Sequence, residues 1–284
     1  MVDNFEFLAP PADLQPFIKF IWVFEGRAST EKPYYHRTPV DGCTQLIFAF
    51  RGGFHRQSGP NHESPRLASA LIAQTTTSLT YRLDEDFGLF GVCLYPFSIP
   101  YLTGTEGTDF IDRYFAPEDL LGAPARDVER SMTGLDRNEH RLALIQGLFT
   151  SQFAHLPVQE PQVVGILRQL FKASAADELD ALIHPSSVST RHLQRQTKRY
   201  TGYTPKQLVR ILRLQLTLSS NPPQALSDVA AQGDYYDQAH LSNEFRSLSG
   251  TTPGDYFKGA KPDIRWRREG REVAFFQSPG GKKP

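Results

Sequence analysis

Hydrophobic and polar positions follow two different rhythms along this chain. Up to about residue 115 the apolar residues come in short, dense runs: PFIKFIWVFEG from Pro16 to Gly26, TQLIFAFRGGF from Thr44 to Phe54, then ALIAQTTTSLTYRL and FGLFGVCLYPF. These runs are rich in aromatic and β-branched residues and are fenced by Gly, Pro, Asn or Ser, which predicts strands of a sandwich or small barrel. From about Ala116 the spacing becomes helical, with Leu142, Ile145, Leu148 and Phe149 three or four apart in NEHRLALIQGLFTSQF. The stretch from His155 to Pro161 reads as a linker. Beyond it the spacing predicts helices over 162–172, 176–183, 189–200, 204–219, 226–232, 237–248 and 252–258. The expected fold class is therefore α+β, with a β-rich domain over 1–115, a helical connector and linker over 116–160, an all-α domain over 161–261 and a tail over 262–284.

The helical half repeats itself. HLQRQTKRYTGYTP begins at His192 and HLSNEFRSLSGTTP begins at His240, 48 residues later. Each copy is a helix-sized segment closed by a Gly and followed by Thr-Pro, which starts another helix. Two copies are too few for a solenoid and imply a duplicated small module. Between them Thr204 caps a helix with Pro205 at its first position, and Asn221-Pro222-Pro223 ends it. Its stripe of Leu208, Ile211, Leu212, Leu214 and Leu218 marks it as a buried, stiff spacer.

Each copy can be read as a support helix followed by a reading helix. In the first, Leu193, Thr197 and Tyr200 face the core, leaving Arg191, Gln194, Arg195 and Lys198 outward. Arg can grip guanine O6 and N7 in a fork, and Gln can bond adenine N6 and N7. In the second, Val229 and Ala230 belong to the support helix, and Leu241, Phe245 and Leu248 form the buried stripe. Gln238, Ala239, Ser242 and Asn243 then point outward, with Arg246 placed for the nucleic-acid backbone. Charge agrees with this reading: the chain is formally neutral, but residues 1–159 carry −6 and residues 160–284 carry +6, so a basic half suited to a polyanion stands beside an acidic one.

Residues from about 176 to 261 resemble the paired helix-turn-helix domain of AraC-type transcription regulators. The stretches that carry the resemblance are STRHLQRQTKRYTGYTPKQLVRILRLQ and LSDVAAQGDYYDQAHLSNEFRSLSGTTPGDY. The resemblance implies two reading helices in successive major grooves of bent DNA, with Arg191, Gln194 and Arg195 as main base readers of the first module. Gln238, Ala239, Ser242 and Asn243 hold the matching face of the second. Two positions depart from the family pattern: Asp234 follows Gly233 in the turn before the second reader, and HPSSVS replaces the usual Gly-containing turn in the first. The N-terminal pieces FIWVFEG, PVDGCTQLIFAF and LFGVCLYPF resemble the β-rich sensor domains of a subgroup, some of whose relatives carry a cupin-like barrel. The late segment VAFFQ also recurs there, and a return strand packed on or near the sensor is expected from it.

The resemblance implies a cytoplasmic transcription regulator that binds double-stranded DNA. A small-molecule effector, a second copy of the chain and, for an activator, RNA polymerase are the further partners it allows. Trp22, Tyr34, His36 and Arg37 combine flat apolar area with polar tips and are the candidate ligand lining. In the alternative reading the N-terminal domain only oligomerises and senses nothing; a third makes it a barrel enzyme fused to a DNA-binding module. Against an enzyme, no G-x-S-x-G, Walker loop or G-x-G-x-x-G is present. His36, His55 and His62 form no metal-binding motif, and Cys43 and Cys93 have neither metal-ligand spacing nor the numbers of a disulfide framework. No metal or other cofactor is expected. No export signal or membrane span is read from the sequence.

Overall fold

The apolar runs form strands, and the densest of them are covered on both faces. The computed structural model describes residues 2–57, 63–153, 160–173, 176–183, 188–219, 237–259, 265–268 and 271–274. One antiparallel sheet contains β1 (Val2–Leu8), β2 (Ile18–Gly26), β8 (Phe87–Leu94), β4 (Thr44–Arg51), β6 (Ser69–Ile72) and β9 (Tyr114–Phe115), in that order. A second contains β3 (Tyr34–Thr38), β7 (Leu79–Leu83) and β5 (His55–Gln57).

Side chains of a strand alternate between faces, so β2, β4 and β8 each feed two cores. Phe20, Trp22, Phe24, Ile47, Leu89 and Cys93 belong to the core shared with the small sheet. Ile21, Val23, Leu46, Phe48, Phe90 and Val92 belong to the other, closed by α3 (Ala123–Met132) and α4 (Asn138–Phe153) through Val128, Met132, Ile145, Leu148 and Phe149. Burial on both faces is why these strands read as unbroken apolar runs rather than alternating ones. Segment 116–160, expected as a connector, thus contributes α2 (Pro117–Leu121), α3 and α4 to the pad behind the large sheet.

One glycine is dictated by this packing. Gly91 on β8 pairs directly with Trp22 on β2, and a Cβ there would lie 1.9 Å from Trp22 Cε2. The indole lies across the missing side chain, with its Nε1 donating to Gln45 Oε1 at 3.2 Å. ALIAQTTTSLTYRL, one run in the sequence, supplies two strands in different sheets, β6 and β7. The chain turns between them where Asp112 accepts from the Thr76 N–H at 2.7 Å and the Thr76 hydroxyl at 2.6 Å.

The C-terminal half is helical as expected, with α5 (Gln162–Lys172), α6 (Ala176–Ile183), α7 (Thr190–Thr201), α8 (Pro205–Ser219), α9 (Gln238–Ser249) and α10 (Pro253–Gly259). The strands β10 (Arg265–Arg268) and β11 (Arg271–Ala274) follow as an antiparallel hairpin. β11 lies beside α8; residues 275–277 of the expected return strand lie outside the described residues. So do the helix expected over 226–232, the Gly233-Asp234 turn, most of the HPSSVS turn and most of the linker. Among the described residues no helix is long and apolar enough to cross a membrane.

Candidate nucleic-acid interface

The two repeats fold alike because their ends are coded alike. At the start of α7 the Ser189 hydroxyl accepts from the His192 N–H at 3.3 Å; at the start of α9 the Asp237 carboxylate accepts from the His240 N–H at 2.7 Å. Each cap satisfies one amide that the helix itself leaves unpaired. Each helix stops at a left-handed glycine, Gly202 with φ +74° and Gly250 with φ +72°, whose N–H returns to Lys198 O and Arg246 O respectively.

Between the caps, the buried and exposed faces fall at helical spacing. Leu193 and Thr197 are buried on α7, with Tyr200 half-buried and Thr201 closing the stripe, while Arg191, Gln194, Arg195 and Lys198 are exposed. On α9, Leu241, Phe245 and Leu248 are buried; Gln238, Ala239, Asn243 and Arg246 are exposed and Ser242 is half-buried. An open cleft of about 1220 Å³ lies between the modules. Arg191, Gln194, Arg195 and Lys198 line one wall, and His240, Asn243 and Ser247 the other. Gln238, Ala239, Ser242 and Arg246 are not part of its lining.

The cleft also holds cations that the sequence reading passed over. Lys206, Arg210 and Arg213 line it from α8. Their spacing along KQLVRILR, four and then three residues, was the available signal. Arg213 Nη2 grips both oxygens of Asp180 on α6 at 3.0 and 2.9 Å. Arg210 Nε donates to Glu244 on α9 at 3.0 Å, where the carboxylate is only 7% exposed. These pairs tie the spacer to an element of each module, so α8 acts as a brace as well as a distance.

The β-rich domain touches both modules at the same repeat position, the glycine cap. At Gly202 the backbone of Gly107 comes so close that a Cβ on either glycine would meet the other's backbone at 2.6–2.7 Å. Tyr203 Oη donates to Thr75 O at 2.7 Å, and Arg199 pairs with Glu106 at 3.3 Å. At Gly250 the carbonyl accepts from Arg37 Nη1 at 3.1 Å. Next to it the Val40 N–H donates to Leu248 O at 3.0 Å, while Val40 O accepts from Gln215 Nε2 at 2.8 Å. A single residue of the β3–β4 loop is thus bonded to the second reading helix and to the spacer.

Behind that loop lies a partly open cavity of about 60 Å³, room for roughly four water molecules. Trp22 and His36 line it, together with Lys19, Asp41, Cys43, Gln45, Tyr81 and Gln215. Tyr34 and Arg37 are not among its lining residues; Arg37 lies on the opposite face of β3 from His36 and reaches Gly250 instead. Burial lowers the His36 pKa to about 4, so its imidazole is neutral at neutral pH. Burial also raises the Asp41 carboxyl, against the Cys43 N–H that it accepts and the positive charge of Lys19. For Lys19, burial acts to lower the ammonium, but Cys43, Cys93 and Asp41 outweigh it and hold it above the ordinary value. Lys19 Nζ also lies over the Phe171 ring, 5.5 Å from its centre.

Two capped helices with polar outer faces, joined by a braced spacer across one cleft, are the frame of a helix-turn-helix DNA-binding region. Residues 185–259 match a helix-turn-helix domain family, and residues 6–116 match a domain family of unknown function. Residues 185–259 carry an AraC-type helix-turn-helix domain. Its structure is similar to that of ToxT from Vibrio cholerae, at 12% identity and a TM-score of 0.44, over 90% of this chain and 98% of that one. It is also similar to ToxT from Vibrio cholerae strain SCE256 bound to an unsaturated fatty acid, at 10% identity and a TM-score of 0.43, over 90% and 96% of the two chains. The AraC-like transcriptional activator CuxR is similar at 11% identity and a TM-score of 0.30, over 86% and 91%. No curated protein matches in sequence.

Proposed function

We propose that this regulator reads specific DNA through α7 and α9 and that a small molecule in the β-rich domain controls the reading. Arg191, Gln194 and Arg195 are the base readers of the first module, with Lys198 on phosphate. Gln238, Ala239, Ser242 and Asn243 offer the second set of contacts and Arg246 a phosphate contact. The exposure of all of these but half-buried Ser242, on two helices flanking one cationic cleft, supports this, since arginine and glutamine forks discriminate bases while lysines mainly anchor.

The observation that carries the control is the position of Gln215. It lines the cavity and also donates to Val40 O, whose own N–H is bonded to α9. A molecule entering the cavity therefore meets the spacer helix itself. Thr38, Pro39 and Asp41 of the loop that carries Val40 also line the cavity, so an occupant larger than its roughly 60 Å³ presses on that loop. An effector that binds better with this loop displaced shifts the balance between docked and released modules, which is the differential affinity that control requires.

The test begins with selection of duplexes from a random pool by the full chain. Metabolites are then screened by Trp22 fluorescence in a Trp266→Phe background, and operator affinity is measured with each hit. A folded chain that enriches no sequence refutes the DNA reading. Hits that quench Trp22 but leave operator affinity unchanged refute the control.

A further inference from the structure

Beside the cavity, side chains far apart in sequence converge. Cys93 on β8, and Cys43 and Asp41 in the turn leading into β4, bring two thiols and a carboxylate within 4.8 Å of one another. The two cysteines form no disulfide. We propose that Asp41, Cys43 and Cys93 form a site for a thiophilic divalent cation of the zinc type, placed where the β-rich domain holds the DNA-binding modules.

Donor chemistry comes first. Two thiolates with one oxygen suit zinc and its soft congeners, and ill suit magnesium or calcium, which take oxygen ligands. Tetrahedral zinc with sulfur at about 2.3 Å sets neighbouring sulfurs about 3.8 Å apart. The three groups need to draw in by only about 1 Å from the observed upper limit, which rotamer adjustment supplies.

Orienting groups are already in place. Gln45 Nε2 donates to Asp41 Oδ2 at 2.8 Å and to Cys93 Sγ at 3.2 Å, and its oxygen accepts from Trp22 Nε1 at 3.2 Å. The Cys43 N–H donates to Asp41 Oδ1 at 2.8 Å. Outer partners of this kind fix ligand orientation in metal sites. Charge also balances. Both thiols release their protons to solvent as the ion binds, leaving two thiolates and the Asp41 carboxylate beside the Lys19 ammonium. That set carries a net charge of −2, which one divalent ion neutralises. Three protein ligands leave a fourth position free, as in zinc sites that also take an exogenous ligand, and two of the three, Asp41 and Cys43, line the cavity.

The ligands share the loop that docks the modules. Gly42, between Asp41 and Cys43, has φ +71°, and a Cβ there would meet Ile211 of α8 at 3.3 Å and Phe171 of α5 at 3.4 Å. Val40, one residue earlier, is bonded to α8 and α9. Ligation of Asp41 and Cys43 pins both sides of Gly42 to the sheet and so fixes the docking loop.

Co²⁺ is the probe, because thiolate ligation gives it a charge-transfer band in the near ultraviolet and strong tetrahedral bands in the visible. Reduced full-length chain is titrated with Co²⁺, then with Zn²⁺ in competition. The expected result is one Co²⁺ per chain with both signatures, displaced by Zn²⁺. Cys43→Ser and Cys93→Ser should each weaken binding at least tenfold and diminish the charge-transfer band. Asp41→Asn should weaken binding while preserving that band. Circular dichroism confirms that each variant is folded. Absence of the charge-transfer band in the reduced wild-type chain, which needs no variant to fold, overturns the proposal. So does a band that survives both cysteine substitutions.

Discussion

His36 makes stability depend on pH in a direction and window that the structure fixes. Its imidazole is 8% exposed and packs among Phe24, Tyr34 and Tyr81 at ring distances of 5.2, 6.5 and 6.5 Å. Burial takes its pKa from 6.5 to about 4. The unfolded chain therefore binds a proton that the folded chain refuses, and stability falls as pH drops through the interval between the two values. The contribution is complete above pH 6.5 and exhausted below pH 4. A separation of that size corresponds to about 3 kcal/mol in all, of which about 2.5 kcal/mol is gone by pH 4.5. The perturbation is His36→Gln, which removes the titration and keeps a polar side chain. The assay is urea unfolding between pH 7.5 and 4.5, followed by Trp22 fluorescence with Trp266→Phe in both chains. Asp41, whose carboxyl burial raises, contributes with the opposite sign, so the quantity to compare is the difference between the two profiles. That difference should close as pH falls, by about 2.5 kcal/mol at pH 4.5. Parallel profiles would refute a buried, neutral His36.

Arg195→Ala should relax preference at one or two base pairs of the selected operator, at a cost of about 1–3 kcal/mol, whereas Lys198→Ala should weaken all duplexes alike and reduce the salt slope by about 1; an unchanged consensus with Arg195→Ala would remove that residue from the readers. Asp237→Ala deletes the cap on the His240 amide and should cost about 1 kcal/mol of local stability, seen as faster hydrogen exchange in the first turn of α9; unaltered exchange there would discount the cap. Gly91→Ala places a Cβ on the Trp22 ring and should destabilise by about 1–3 kcal/mol, with a shifted Trp22 emission; an unchanged unfolding midpoint would discount the close approach.

What the sequence disclosed follows the range of the forces involved. The ends of α7 and α9 were legible because Ser189, Gly202, Asp237 and Gly250 act within one turn of their own backbone. The polar faces were legible because Arg191, Gln194, Arg195 and Lys198 recur at the helical period. β2 and β8 could be found as apolar runs since both faces are buried. β3 and β5 could not: each is short, and polar side chains such as Arg37, Arg56 and Gln57 interrupt the apolar pattern. The cluster of Asp41, Cys43 and Cys93 was illegible for a different reason. Fifty residues separate the two cysteines, and the antiparallel register that sets Gln45 opposite Cys93 is what brings them together. Tyr34 and Arg37 have the chemistry of a ligand lining, but alternation along β3 and the edge of the cavity decide which residues line it.

The paired glycine caps have a mechanical consequence. A caliper is set by where its two arms are held, and here both arms are held at their matching ends by one domain. The span between the reading tips is then fixed by that domain as well as by α8, whose 15 residues extend about 22 Å. On the proposed reading, operators whose half-sites lie one helical repeat of B-DNA apart, about 34 Å, would be accepted or refused according to that setting. Loosening the grip at Gly250 while the grip at Gly202 holds leaves one arm set and the other free to swing. Such a molecule still finds the first half-site but tolerates added or deleted base pairs before the second, so a series of operators with altered spacing measures how tightly the caliper is closed.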